Sequence, residues 1–306
     1  MWHPMSLPPH IRALLIPLFV FAAACTPDDN QERGDVSVTT SILPMSGPAD
    51  ERWYSESPEG NLIVYGQSEG DQGILMAMEK RGSEWGSAVP LPFSGAWDDR
   101  APRYYPALNV LLFSSNRPLP GENEAGDFNL WVVAHDGEAW MDPEPFMISV
   151  TEADESNGAV SGSGTVYFAS NRDGGEGQED IYRARLGSMG YEVEAIGAPV
   201  STSLPETDVW VDPGERYLII SRTDETSGLG GSDLWIVFAE GTGWSAPILL
   251  GPEVNSAGDE YGAWVSRDGA TLYFTTHRAG QTDIARIALA DLPIEGPEGW
   301  ISTSIE

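Results

Sequence analysis

This chain of 306 residues has one cysteine, one lysine and four histidines. The lone thiol, Cys25, excludes an intrachain disulfide framework and a cysteine-based zinc cluster. Lys80 is the sole lysine, and 16 basic residues face 47 acidic ones, for a formal charge of −31. Phosphate binding needs clustered Lys and Arg, so the composition argues against nucleic acid as a partner. The same charge opposes adhesion to an anionic membrane surface and favours solubility, cationic partners or divalent ions. His3 and His10 lie in an N-terminal leader, which leaves His135 and His277, and neither has companions that would complete a zinc site. A G-x-S-x-G elbow is missing, so serine hydrolase chemistry lacks its usual nucleophile turn.

Long hydrophobic runs are also scarce. The apolar stretch from Ala13 to Ala24 is about twelve residues and contains Pro17, which is short for a membrane span. It follows His3, His10 and Arg12 and ends Ala22-Ala23-Ala24-Cys25. Small residues directly before a lone Cys resemble the bacterial lipoprotein signal. That resemblance implies cleavage before Cys25, lipid attachment to it and, with Thr26 rather than Asp next, an outer-membrane anchor facing the periplasm. An ordinary secretory signal cut nearby is the other reading. The expected organisation is a signal peptide over 1–24, an anchor and polar tether over 25–49 and a repeat domain over 50–306. Within the tether, Val36 to Leu43 offers one closing strand.

What the chain does have is a block of about fifty residues repeated five times, the signature of a propeller or solenoid. Each copy opens on an acidic residue: Glu51, Asp99, Glu155, Glu206 and Glu260. About ten residues later comes a turn such as Pro58-Glu59-Gly60, Gly162-Ser163-Gly164, Asp212-Pro213-Gly214 or Arg267-Asp268-Gly269, where Gly supplies positive φ. The second copy has Ala107-Leu108-Asn109 instead. A short apolar run follows, then a polar turn with Arg, then a third strand opening at Asn129, Asp180, Asp233 or Asp283. Trp85, Trp140, Tyr191, Trp244 and Trp300 recur at separations of about 51–56 residues and predict a fourth strand in each copy. Four-stranded units around an axis make an all-β propeller, five-bladed here. A six-bladed ring would need residues 26–49 to supply a whole blade.

Two strings carry a family resemblance. Val254-Asn255-Ser256, Asp259-Glu260, Ser266-Arg267-Asp268-Gly269, Leu272-Tyr273-Phe274, Arg278 and Asp283-Ile284 resemble the WD40-like repeat of TolB-type bacterial envelope propellers. So do Ser170-Asn171-Arg172-Asp173-Gly174-Gly175 and Asp180-Ile181-Tyr182. The resemblance implies a non-enzymatic module that binds an envelope protein or peptide. A propeller glycosidase using channel-mouth carboxylates, with a glycan as ligand, is the alternative; it requires two acids in unlike environments.

The candidate site residues follow from phase. Glu51, Asp99, Glu155, Glu206 and Glu260 should sit in equivalent places, either as a negative funnel at a channel mouth or as locks between blades. Arg172, Arg222 and Arg278 are expected to pair across their turn with Asp180, Asp233 and Asp283. The acidic loop Asp173–Asp180 has oxygen ligands suited to calcium, although its spacing departs from an EF-hand. No other cofactor is expected. Trp53, Trp210 and Trp264 break the symmetry. Trp210 and Trp264 lie four residues after the acidic position, where the second and third copies have Arg103 and Ala159. An unrepeated side chain at a repeated place is where a ring acquires a specific site, and Trp faces stack on sugars or hold cations.

Overall fold

The computed structural model describes residues 41–43, 49–70, 72–105, 108–150, 152–278 and 280–301. The expected signal segment, Cys25 and nearly all of the expected tether lie outside the described residues. The repeats form five antiparallel blades. Their innermost strands are Asp50–Glu56, Asp99–Tyr104, Glu155–Val160, Glu206–Val211 and Glu260–Val265. The second strands, such as Val166–Ser170 with all five residues buried, read as continuous apolar runs because both faces are covered. Neighbouring blades share the core: Tyr167, Ala169 and Ile181 of blade 3 pack with Val209, Leu218, Ile220 and Trp235 of blade 4.

The first turns follow expectation at Gly60, Gly164 and Gly269, with φ of 66°, 87° and 68°. In blade 4 the left-handed residue is Glu215 (φ 55°), not Gly214. A non-glycine residue there costs on the order of 1–3 kcal/mol and needs compensation. The Glu215 carboxylate supplies it by accepting hydrogen bonds from Ser161 Oγ (2.7 Å), Ser163 Oγ (2.7 Å) and Tyr167 OH (3.0 Å) of blade 3. The turn thereby also fastens one blade to the next.

The fourth strands differ most. Blade 3 has a six-residue edge, Gly190–Ala195, whereas blade 2 has Glu144–Pro145. Blades 1 and 4 split theirs into pairs of two-residue pieces, Glu84–Trp85 with Val89–Pro90 and Gly243–Trp244 with Ile248–Leu249. In blade 5 the fourth strand is Ser41–Ile42, which pairs antiparallel with Asp283–Ala288. Trp300 therefore does not open a strand, contrary to its phase. The edge it would have joined is occupied, and Trp300 instead packs edge-on against Tyr217 (5.7 Å) and Phe238 (5.3 Å) of blade 4. The ring is sealed by Glu51 N–H donating to Thr282 O (3.1 Å).

Candidate functional site

The five innermost strands present two ends and a middle, and each behaves differently. At the start of the strands the five acids are only 0–1 % exposed, so they form no open funnel. Each turns into its own blade. Asp99 accepts from Ser94 Oγ (2.7 Å) and from Arg117 Nη2 (2.7 Å). Glu155 accepts from Val150 N–H (3.0 Å) and pairs with Arg172 (2.8 Å). Glu206 accepts from Thr202 N–H (2.9 Å) and Arg222 Nε (2.7 Å). Glu260 accepts from Ser256 N–H (2.7 Å) and Thr276 Oγ1 (2.5 Å), and Gln67 Nε2 donates to Glu51 (3.3 Å). In blades 2 to 5 the acid thus holds the loop arriving from the preceding blade. Burial pushes Glu155 up to about 6, opposed by the Val150 N–H and the Arg172 charge.

The expected Arg–Asp pairs are replaced. Arg172 and Arg222 take the strand-opening glutamates, and Arg278 Nη2 donates to Val254 O (2.6 Å). The reason is local: Asp180 accepts from Gly177 N–H (2.9 Å) and Asp233 from Leu229 N–H (2.8 Å), so each is used by its own loop.

The middle of the ring is built by bulges. Every innermost strand shifts register just after the acid, between Arg52 and Ser55, Arg100 and Arg103, Ser156 and Ala159, Glu206 and Asp208, and Tyr261 and Trp264. Trp53, Ala101, Asn157 and Gly262 take left-handed conformations there, with φ of 55°, 49°, 51° and 66°. Bulges re-aim side chains. Here they send Trp53 of blade 1 across the ring to Asp208 of blade 4 (Nε1–Oδ2 3.2 Å), and Arg103 of blade 2 to the same carboxylate (3.5 Å). Arg103 and Asp208 are almost fully buried. Burial pushes Asp208 up to about 6, against the pull of Arg103 and the Trp53 N–H, and burial likewise lowers Arg103. This group plugs the channel.

Beyond the plug, the ends of the strands open into a cavity of about 480 Å3 to which all five blades contribute. Arg103, Ala159, Trp210 and Trp264, which hold the repeated place in blades 2 to 5, line it together, whereas Ser55 in blade 1 does not. Tyr104, Tyr105 and Tyr217 add aromatic wall, and Glu56, Asp212, Arg216, Arg267 and Asp268 add charge. Trp53 is not among the lining residues; its ring lies tilted against Tyr261, with centroids 5.5 Å apart. Asp212 is bound to Arg216 (2.7 Å) and to Gly214 N–H (2.9 Å), and Asp268 accepts from Ala270 N–H (3.0 Å) and Ser266 Oγ. The Glu56 carboxylate has no hydrogen-bond partner among the described residues, and burial raises its pKa, with Lys80 opposing and Asp268 adding to the shift. His135 and His277 do not line the cavity; they contact Trp140 and Thr282 respectively.

A bulged, plugged ring of five four-stranded blades defines the class: a five-bladed β-propeller. Among solved structures, a TolB protein from Agrobacterium tumefaciens is similar at 13% identity and TM-score 0.52, covering 85% of this chain and 88% of that one. A GH43 endo-arabinanase from Bacillus licheniformis is similar at 14% identity and TM-score 0.56, over 83% and 98%. TolB from Acinetobacter baumannii gives 14% identity and TM-score 0.49, and the likeness spans only 55% of its length. At these identities the likeness establishes the fold and nothing about activity. No protein-family model and no curated protein matches the sequence.

Proposed function

We propose that the protein is a non-catalytic binding module of the bacterial envelope, and that its ligand occupies the cavity at the ends of the innermost strands. One observation carries this reading: the innermost-strand position at which the repeats diverge, Arg103, Ala159, Trp210 and Trp264, lines an aromatic-walled cavity in the size range of ligand pockets. The leader and Cys25 support an outer-membrane lipid anchor that presents the propeller to the periplasm. The TolB-like fold is compatible with an envelope protein or peptide as the partner.

Sugar hydrolysis fits less well, although an arabinanase shares the fold. That chemistry needs two carboxylates with separate roles. Of the three that line the cavity, Asp212 and Asp268 are engaged by their own turns, which leaves Glu56 alone. The experiment is photo-crosslinking in intact envelopes with a benzophenone amino acid at Arg267 on the cavity or at Leu186 on the outer face of blade 3. The expected result is one adduct from position 267 that is lost in Trp210→Ala/Trp264→Ala. Equal adducts from both positions, insensitive to those substitutions, would contradict the reading.

A further inference from the structure

Blade 3 ends differently from its neighbours. Its outermost strand, Gly190–Ala195, runs for six residues without a proline. The outer edges of the other blades are two-residue pieces such as Val89–Pro90, Glu144–Pro145, Ile248–Leu249 and Ser41–Ile42. Short edges and edge prolines keep a sheet from pairing with other chains, and blade 3 has neither safeguard. The register fixes what its edge presents. Ile196 N–H donates to Ile181 O (3.0 Å), and further along the same ladder Arg183 lies opposite Glu194 and Arg185 opposite Glu192. Hydrogen-bonded pairs alternate in an antiparallel ladder, so Glu192 and Glu194 turn their backbone groups inward. Tyr191, Val193 and Ala195 turn theirs outward, and no described residue bonds to those N–H and C=O groups.

The side chains alternate too. Tyr191, Val193 and Ala195 share the face toward blade 2, where Tyr191 lies against Phe146 (5.1 Å). Glu192 and Glu194 share the other face. Arg183 and Arg185 donate to Glu194 (2.6 and 3.1 Å), and Glu192 has no partner among the described residues. Leu186, Met189 and Val193 of the same hairpin are exposed. We propose that this edge docks an extended segment of a partner protein in which basic residues alternate with apolar ones, added as a further strand of blade 3. Strand addition draws affinity from backbone bonds and specificity from alternate side chains. The incoming strand takes the free groups of Tyr191, Val193 and Ala195, and sets its basic residues about 5 Å from Glu192 and Glu194. A second copy of this chain fits badly. Antiparallel pairing about Val193 would set Glu192 of each copy opposite Glu194 of the other, between molecules of charge −31. The acidic edge thus disfavours self-association and favours a basic strand. No residue of this hairpin lines the cavity, so the surface is independent of the ligand site proposed above.

The test is calorimetric titration of the full chain in detergent with Ac-Thr-Val-Lys-Val-Lys-Val-Thr-NH2 and with its counterpart carrying Glu in place of Lys. The basic peptide is expected to bind about tenfold more tightly, because its two cross-strand pairs attract where those of the acidic peptide repel. Its binding should slow hydrogen exchange at the Tyr191, Val193 and Ala195 amides. Val193→Pro removes an outward N–H that the ladder does not use, so affinity should fall by at least about tenfold with the melting temperature unchanged. Glu192→Lys should remove the preference for the basic peptide, and this variant decides the matter if Val193→Pro melts lower. Equal binding of the two peptides to the parent, or no binding of either, overturns the proposal. So does a Glu192→Lys variant that keeps the parent's preference. A basic peptide that shifts the Trp264 indole resonance and leaves the three amides exchanging freely overturns it as well. In intact envelopes, a crosslinked product at position 186 that differs from the one at 267 and disappears in Val193→Pro belongs to this edge and leaves the cavity reading untouched.

Discussion

The two ends of the innermost strands are built from the same repeats and do opposite things. At the starting end, the same residue type recurs in every blade and vanishes into the protein: five acids, all buried, each satisfied by polar or cationic groups nearby. At the other end, the equivalent place in blades 2 to 5 is Arg103, Ala159, Trp210 and Trp264, and these side chains border an open cavity. Repetition marks what every blade needs in order to close against its neighbour. Its breakdown marks what the ring needs only once. The bulged middle, with Trp53, Arg103 and Asp208 reaching across the axis, separates the two ends so that each can be perturbed alone.

The plug is where this comparison can be broken most severely. Arg103→Met leaves Asp208 buried and without its cation, at an expected cost of about 3–5 kcal/mol. Arg103→Met with Asp208→Leu should recover most of that loss, since an apolar pair of similar volume replaces the ion pair. Chemical denaturation of the two variants measures both. The starting end is expected to act on stability only. Glu206→Ala leaves Arg222 unpaired in the core and should cost about 3 kcal/mol, while the Trp210 and Trp264 indole resonances stay in place. Movement of those resonances would mean that the ends are coupled.

The bulge of blade 5 allows a finer test. Gly262 is left-handed (φ 66°), and a Cβ there would lie 2.8 Å from Thr275 Oγ1 and 2.9 Å from Trp53 Cδ1. Gly262→Ala should therefore destabilise by about 2 kcal/mol, read as a lowered denaturation midpoint. The gentlest probe is pH. Asp208 and Glu155 both stand at about 6 in the folded protein, above their ordinary values of 3.8 and 4.5, and burial is the first cause in each. For a group raised on folding, the stabilisation is full below the unfolded pKa and is lost as pH rises through the folded one. Burial raises Glu56 and Glu206 in the same direction. The melting temperature should fall by about 3 °C from pH 5.5 to pH 7.5, and a rise over that interval would contradict these shifts.

Much of the architecture was legible because it rests on patterns that recur. Apolar runs between Gly turns, at a period of about fifty residues, imply four-stranded blades whatever the individual residues are. The place occupied by Arg103, Ala159, Trp210 and Trp264 could be found by phase alone. Its role could not, because the bulges that aim these side chains leave little trace: Asn157 and Gly262 tolerate left-handed backbone, but Trp53 and Ala101 do not advertise it. Arginine partners were misread because sequence proximity favours Asp180 over Glu155 for Arg172, whereas strand pairing puts Ser170, near Arg172, opposite Glu155. Trp300 kept the period without the strand, since another segment already held that edge. The cavity itself depends on five loops meeting in space, which no local pattern encodes.

The claim that the unrepeated end is the working end is tested most directly by following the indole N–H resonances of the chain as envelope extract is added. The account expects Trp264 and Trp210 to shift, and Trp85 and Trp244 on the outer strands to remain still. Shifts confined to Trp85 and Trp244, with Trp210 and Trp264 unmoved, would place binding on the outer strands and contradict it.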